Sequence, residues 1–353
     1  MELSYVPTGI VTRVSLIATD DIMTAVLPES EQDEIPSGFA IVGHVAHLNL
    51  RHQYLPYKSL IAQVILDKNP QLRTVINKVD DVGAENEYRT FSYEVLAGPD
   101  DLNVEIKEED CIFAFDYAKV YWNSRLHHEH KRIVEQFNEG DAVCDVMAGV
   151  GPFALPAGRK KIFVWANDLN PDSHASLVAG TIRNKVSDYV RPFNADGRTF
   201  IVDATRQLYQ ATNPRRVDFK TKPSRSSKQP AKVIKTITEP RFFKHFVMNL
   251  PASALTFLPS FIGLYDAAGI PEAADTPLPT IHVHCFSTKS DDNVQEGKEI
   301  CAEITSLLKR EMRPGRADVE GEVLITDVRD VAPNKRMFCA SFLLPKDVAW
   351  RAR

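Results

Sequence analysis

At 353 residues, 44% hydrophobic and 25% charged, the chain has the make-up of an ordinary globular protein long enough for two or three domains. A net charge of −5 excludes a globally basic nucleic-acid binder, so any such contact must come from local patches. No apolar run approaches the ~20 residues that cross a bilayer, and five scattered cysteines without a C-x-x-C pair speak for reduced thiols and against a zinc site.

Residues 1–37 read as a short lead-in with a linker-like SEQDEIPSG at its end, carrying neither a signal peptide nor an Arg-rich transit pattern. A cytoplasmic protein is expected, with nucleus and mitochondrion left open. Residues 38–117 read as a small α+β domain. FAIVGHVAHLNL alternates like a strand, and LPYKSLIAQVILDKN reads as a helix with Leu60, Ile61, Val64 and Ile65 on its apolar face. TVINKV is a short strand, Glu87–Leu96 (EYRTFSYEVL) alternates again, and CIFAFDYAKVYW closes the domain.

From residue 118 to 353 the pattern changes. A helix is predicted over Asn123–Phe137, then a strand ending at Asp145, a strand Ile162–Ala166, a helix Asp172–Lys185 and a strand Val190–Asn194. FKHFVMNLPASALTFLPSFIGL gives strand, turn and helix; strands at Thr280–Phe286, Val323–Val328 and Met337–Leu344 and a helix Val294–Lys309 follow. This alternation predicts an α/β protein with a doubly wound sheet. Residues 213–238, NPRRVDFKTKPSRSSKQPAKVIKTIT, read instead as a basic insertion loop on the surface, low in core-forming potential.

The chemistry concentrates in Val143–Pro171, VCDVMAGVGPFALPAGRKKIFVWANDLNP. Here a strand ends in Asp145, a turn carries Gly149, Gly151 and Pro152, and a second strand ends in Asn167-Asp168. Glycines admit a ligand close to the backbone, and a following helix start offers free N–H groups. An acid at the tip of the second strand is placed for two ribose hydroxyls. A nucleoside cofactor is expected, against the competing reading of a plain strand–turn–helix. The third glycine of the dinucleotide fingerprint is missing, and no G-x-x-x-x-G-K-[ST] occurs, so a nicotinamide enzyme is disfavoured. A glycine turn flanked by Asp145 and Asp168 suits S-adenosylmethionine, whose sulfonium and amino groups favour a nearby carboxylate. Asp196 follows a third strand, and Asn249-Leu250-Pro251 a fourth, so all converge on one crevice beyond the strand ends. An Asn amide offers a donor and an acceptor there, although turn capping is the commoner role of such an Asn.

Taken together, LPYKSLIAQVILDKNP, YRTFSYEVLAG, KVYWNSRLHHEH, DVMAGVGPF, NDLNP, MNLPA and DVRDVAPNKRMFCASFLLP resemble the class I tRNA (guanine-N1)-methyltransferases of eukaryotes and archaea. The match runs over residues 38–345, in the family's order. It implies a Rossmann-like class I methyltransferase sheet preceded by the small α+β domain, S-adenosyl-L-methionine as cofactor, and guanosine 37 of tRNA, beside the anticodon, as substrate. The family's longer N-terminal region, with a tRNA-elbow-binding domain, is expected to be shortened or missing here. A monomer is expected, with no membrane partner.

The resemblance also assigns roles. Guanine N1 carries a proton and needs a general base, which Glu129 matches; Arg125, four residues earlier, is expected on the same helix face, where a plain surface ion pair is the competing reading. Arg89 matches the arginine placed over the target base, where it would stabilise charge on O6. Tyr121 would stack on a flipped base, or else belong to the core. Asn249 would grip the guanine edge beside the cofactor, with Pro251 rigidifying its turn. Asp168 would hold the cofactor ribose and Asp196 the adenine amino group, with Asp145, Gly149, Gly151 and Pro152 completing the cofactor cradle. His127, His128 and His130 share one helix; without carboxylate or Cys companions at ligand spacing they are expected in solvent or facing RNA, and no metal is expected. The alternatives are aminocarboxypropyl transfer to the same tRNA position in wybutosine synthesis, and a tRNA-binding module without catalysis.

Overall fold

The structure, a computed structural model, describes residues 24, 28, 38–79, 88, 90–221 and 232–352. It divides into two compact units, Met1–Glu108 with Ile112–Arg125, and Glu109–Cys111 with Leu126–Arg353. The first thus runs to Arg125, eight residues beyond the expected 117.

In the first unit, strands β1 (Ala40–Val42), β2 (Val45–Leu48), β3 (Thr74–Lys78) and β4 (Tyr93–Ala97) form a sheet in chain order. FAIVGHVAHLNL is therefore two strands, not one. Gly43, at φ +59°, takes a left-handed turn between them, and a side chain there would press on Val104 and Glu105. β2 and β3 are parallel, joined through α1 (Lys58–Lys68). Ile61, Val64 and Ile65 recur at helical spacing and bury against Ala46, Leu48 and Val75 of the sheet. Within EYRTFSYEVL the described strand begins at Tyr93; Glu87 and Arg89 lie outside the described residues. β5 (Asn103–Glu108), which the sequence did not announce, pairs with β6 (Cys111–Asp116).

The predicted helix Asn123–Phe137 resolves into a 3-10 turn, Ser124–Leu126, and a short α2, His127–Val134. Then come β7 (Ala142–Asp145), α3 (Ala154–Arg159), β8 (Phe163–Asn167), α4 (Pro171–Arg183), β9 (Val190–Phe193) and α5 (Gly197–Gln210). β10 (Arg216–Lys220) and β11 (Val233–Thr238) precede β12 (His245–Met248), a 3-10 segment Ala254–Phe261 where an α-helix was expected, and α6 (Leu264–Ala267). The chain ends through β13 (Thr280–Ser287), α7 (Val294–Leu308), β14 (Arg313–Pro314), β15 (Glu322–Ala332), β16 (Lys335–Leu343) and α8 (Lys346–Ala349). The sheet order is β14-β15-β16-β13-β12-β7-β8-β9. β13, β12, β7, β8 and β9 run parallel, while β16 opposes β13. After β7 the chain steps outward one way to β9 and then returns to β12 on the other side. The crevice beyond Asp145 and Met248 therefore lies at the switch point of the sheet.

Strand alternation separates the two faces of this sheet. Cys144, Phe246, Met248, Ile281, Val283, Cys285, Phe338 and Ala340 join the main core with Phe200, Ile201, Phe261 and Ile304. The intervening residues are buried and mostly polar: Asp145, His245, His282, His284, Cys339 and Ser341. His282 bonds Ser341 Oγ at 2.8 Å and His245 at 3.1 Å, and the Phe137 ring lies 4.8 Å from that of His245.

The basic insertion is not a loop throughout. β10 and β11 form an antiparallel hairpin, from Arg216 opposite Thr238 to Lys220 opposite Val233. Val217, Phe219 and Ile237 pack on Phe163 and Tyr189, and Arg215 pairs with buried Glu239, which accepts from Trp165 Nε1 at 2.8 Å. The hairpin base thus sits where β8 and β9 begin, away from the strand tips of the crevice. Residues 222–231 lie outside the described residues.

Candidate functional site

Three strand tips build the crevice, and buried Asn167 ties them together. Its amide donates to the carbonyls of Val146 (3.0 Å) and Ala195 (2.9 Å), and its oxygen accepts from Ala195 N–H. Asn194 adds bonds to the carbonyls of Asp168 and Leu169. In the glycine turn, Gly149 (φ +56°) has open space where a side chain would stand, so the backbone is exposed to a ligand. Gly151 (φ +95°) has none: a Cβ would come within 2.6 Å of Leu177.

Asp168 accepts from Gly149 N–H at 2.7 Å through Oδ2 and from Asn170 N–H at 2.9 Å through Oδ1. Burial raises its pKa, and those two N–H groups oppose the rise. Each oxygen keeps an acceptor site, which two ribose hydroxyls would use. Asp145 is wholly buried, and both its oxygens lack a hydrogen-bond partner. Burial, and next Asp168, push its pKa well up, against a smaller opposing pull from His284. Such a carboxylate calls for a cationic or donor-rich ligand. Asn249 Oδ1 is likewise buried without a partner, at the far side of the switch point. Open glycine backbone, a ribose-type acid and an orphaned carboxylate together fit S-adenosylmethionine. Asp196 is exposed and caps α5, accepting from the N–H groups of Arg198 and Thr199; Pro152 follows Gly151, and Pro251 follows Leu250 in the Asn249 turn.

Glu129 is buried on α2 and holds three donors. Arg132 Nε reaches Oε2 at 2.7 Å, Arg132 Nη2 reaches Oε1 at 2.7 Å, and His284 Nε2 lies 2.6 Å from Oε1. The expected partner Arg125 is replaced by Arg132. Arg125 sits in the 3-10 turn, its N–H bonded to Asn123, because the α-helical register that would align it with Glu129 starts only at His127. Burial alone would raise the Glu129 pKa, but the bonds from His284 and Arg132 outweigh it and hold it at about 2. By lone-pair count Oε1 is filled, while Oε2 keeps one acceptor site.

His284 presents Nδ1 to the Met248 carbonyl at 3.3 Å. Burial would lower its pKa, and Cys339 and Glu129 outweigh that, lifting it to about 10. Glu129, His284 and Cys339 have donor atoms within 4.8 Å of one another, a spacing that would suit a metal. Arg132 and His284 already place two positively charged donors on that carboxylate, so a metal ion beside them is electrostatically opposed. His130, expected in solvent, is buried edge-on against Phe153 with ring centroids 5.0 Å apart; His127 is half-buried and His128 exposed. Tyr121 is exposed rather than core. Tyr121 and Arg125 lie at the C-terminal end of the first unit, and Arg89 lies outside the described residues.

Arg132, His284, Cys339 and Asn167 were not singled out from the sequence. His282 and His284 alternate with apolar residues in TIHVHCFS, and that period of two in a buried strand is the signal that points to a polar face.

A family model described as "TRM5/TYW2 methyltransferase domain" matches residues 104–213, and "TYW2 N-terminal domain" matches residues 19–101. A Neurospora crassa protein named tRNA (guanine(37)-N(1))-methyltransferase is 52% identical over 356 residues, covering 100% of this chain and 75% of its own. Trm5b from Pyrococcus abyssi shares the fold with a TM-score of 0.61 at 22% identity, covering 90% of this chain and 78% of its own. A structure titled as a complex of aTrm5 and tRNALeu gives 0.61 at 20% identity, covering 93% and 78%. At the identity and coverage of the Neurospora relative, the chain belongs to the tRNA (guanine(37)-N(1))-methyltransferase family.

Proposed function

We propose that Glu129 is the general base as the chain methylates N1 of guanosine 37 in tRNA. The methyl transfer itself, with S-adenosyl-L-methionine as cofactor and tRNA as substrate, follows from membership of the family. When bound, S-adenosylmethionine supplies a methyl group on a cationic sulfonium. Asp168 would hold its ribose hydroxyls, the open backbone at Gly149 would admit it closely, and Asp145 would face its positive end. The aminocarboxypropyl alternative loses to the name carried by relatives at about half identity.

One observation carries the base assignment: Glu129 is a buried carboxylate kept ionised by two cationic partners, with an acceptor site left on Oε2. N1 of guanine must lose its proton to become nucleophilic, and Oε2 is where this chain can take it. Asn249 Oδ1, buried without a partner, is suited to accept from the guanine amino edge. We place the target in the anticodon loop, take the monomer as the working form and assign the protein to the cytoplasm; light scattering and imaging of a tagged chain check the last two.

The test is Glu129→Gln in single turnover with labelled cofactor. The rate should fall by roughly 10²–10⁴, the range for general-base catalysis, with cofactor and tRNA affinity little changed. Raising pH should partly restore it, since hydroxide then removes the proton unaided. A variant with the wild-type rate at neutral pH would refute the assignment.

A further inference from the structure

We propose that His284 is a positioning residue for the reaction, tying the Glu129 carboxylate to the Met248 carbonyl and so fixing the base against the turn that carries Asn249. This rests on the reading of Glu129 as the base. The carboxylate at 2.6 Å and the carbonyl at 3.3 Å are both acceptors, so His284 serves both only with a proton on each ring nitrogen. It is therefore an imidazolium at this position.

The two partners of Glu129 do different work. Arg132 lies three residues further along the same short helix, so its fork orients the carboxylate chiefly relative to α2, with Cys339 of β16 beside its guanidinium. His284 comes from β13, beside β12, and one residue past the Met248–Val283 pairing. Its bond ties the base directly to β13 at the switch point. The Phe153 ring, directly after the glycine turn, packs 6.2 Å from His284 and 5.0 Å from His130, so the same contact reaches the cofactor loop. The charged or titratable groups around His284 are Glu129 and Arg132 from α2, Asp145 from β7, His282 from its own strand and Cys339 from β16. Glu129 accepts from Nε2 at 2.6 Å, and the Cys339 sulfur lies within 4.8 Å of the pair.

The experiment is the pH profile of single-turnover methyl transfer, with saturating cofactor and tRNA, for wild type, His284→Phe and His284→Gln. His284→Phe should lose roughly 10- to 100-fold, the scale of one charged hydrogen bond. Its acidic limb should move to higher pH, because Glu129 loses a cation that favours its ionised form. His284→Gln keeps an amide donor without the charge, so it should recover much of the rate while retaining the displaced limb. If His284→Phe fails to fold, His284→Gln carries the test alone through that limb. In a Glu129→Gln background, His284→Phe should cost little more, since the two act as one unit. An unmoved limb in a folded His284→Gln protein, or fully additive losses, would overturn the inference while leaving the base assignment standing. A fully active Glu129→Gln protein would instead overturn the base assignment itself.

Discussion

The Glu129 carboxylate and the His284 imidazole meet 2.6 Å apart in the interior, although 155 positions separate them in the chain. Helix α2 carries one and strand β13 the other, so the contact exists only when the sheet is complete and the helix is docked on its polar face. This makes the candidate base a product of tertiary structure. An isolated α2 of eight residues would be marginal in water and would leave Glu129 solvated.

The first prediction concerns Arg132. Arg132→Leu removes two bonds to a buried carboxylate and should destabilise the protein by about 1.5–3 kcal/mol, as for hydrogen bonds to charged groups. The pH dependence has a definite sign. Glu129 has a folded pKa below its ordinary 4.5, so its contribution is present above 4.5 and lost as pH falls toward about 2. The wild-type margin over the variant should therefore narrow in acid. Urea titrations at neutral pH and near pH 4 check both statements.

Asp145 gives the opposite sign. Its folded pKa is raised, chiefly by burial, so the native state binds the proton more tightly than the unfolded chain. Its contribution is complete below the ordinary 3.8 and lost as pH rises through the raised value. Asp145→Asn should therefore gain in stability relative to wild type as pH rises, in the absence of cofactor. The same change should weaken S-adenosylmethionine by at least about tenfold, by removing a charged partner. Melting curves across pH, with and without cofactor, separate the two effects. A variant that gains stability yet binds cofactor normally would remove Asp145 from the cradle.

The parts of the candidate cradle could be singled out in the sequence because they are local. Asp145, Gly149, Gly151 and Asp168 stand within one strand–turn–helix–strand passage whose punctuation fixes the fold. The surroundings of Glu129 could not be, because Arg125 and Arg132 offer the same charge at helical spacing on either side of it. Only where α2 begins decides between them, and helix starts are poorly encoded when the preceding turn is 3-10. His284 could not be placed at all without knowing that β13 lies next to β12. The hairpin β10–β11 was hidden by composition: Lys and Arg on its outer positions obscured the apolar alternation of Val217 and Phe219.

That hairpin carries the third prediction. Residues 222–231 join its strands and include Lys222, Arg225 and Lys228, with Lys220 and Lys232 beside them. Replacing 222–231 by a short Gly-Ser turn should flatten the dependence of log tRNA affinity on log salt, by about one unit for each phosphate that the loop neutralises. Because the hairpin base packs on Phe163 and Tyr189 where β8 and β9 begin, the single-turnover rate at saturation should not change. Filter binding from low to moderate salt, with one rate measurement, checks both. An unchanged salt slope would assign the phosphate contacts to other basic surface.

The last prediction concerns Asp168, which has two tasks that can be separated. Its Oδ2 holds Gly149 N–H, and so helps set the left-handed turn, while acceptor sites on both oxygens remain for the ribose. Asp168→Ala removes both functions and should weaken S-adenosylmethionine by about 1.5–3 kcal/mol, the scale of a charge-assisted hydrogen bond. Asp168→Asn keeps one amide oxygen as acceptor but replaces the other by a donor. If Oδ1 toward Asn170 N–H becomes the NH₂ group, the turn at Gly149 survives, while the Asn170 N–H and one ribose hydroxyl lose their acceptor. Asp168→Asn should therefore bind more weakly than wild type yet keep a melting temperature closer to it than Asp168→Ala. Calorimetry against S-adenosylmethionine and against adenosine isolates the ribose share, because both ligands carry the same two hydroxyls. Equal fractional losses for the two would place Asp168 on the ribose; a loss confined to S-adenosylmethionine would move it to the sulfonium end beside Asp145, and the assignment of the two acids would have to be exchanged.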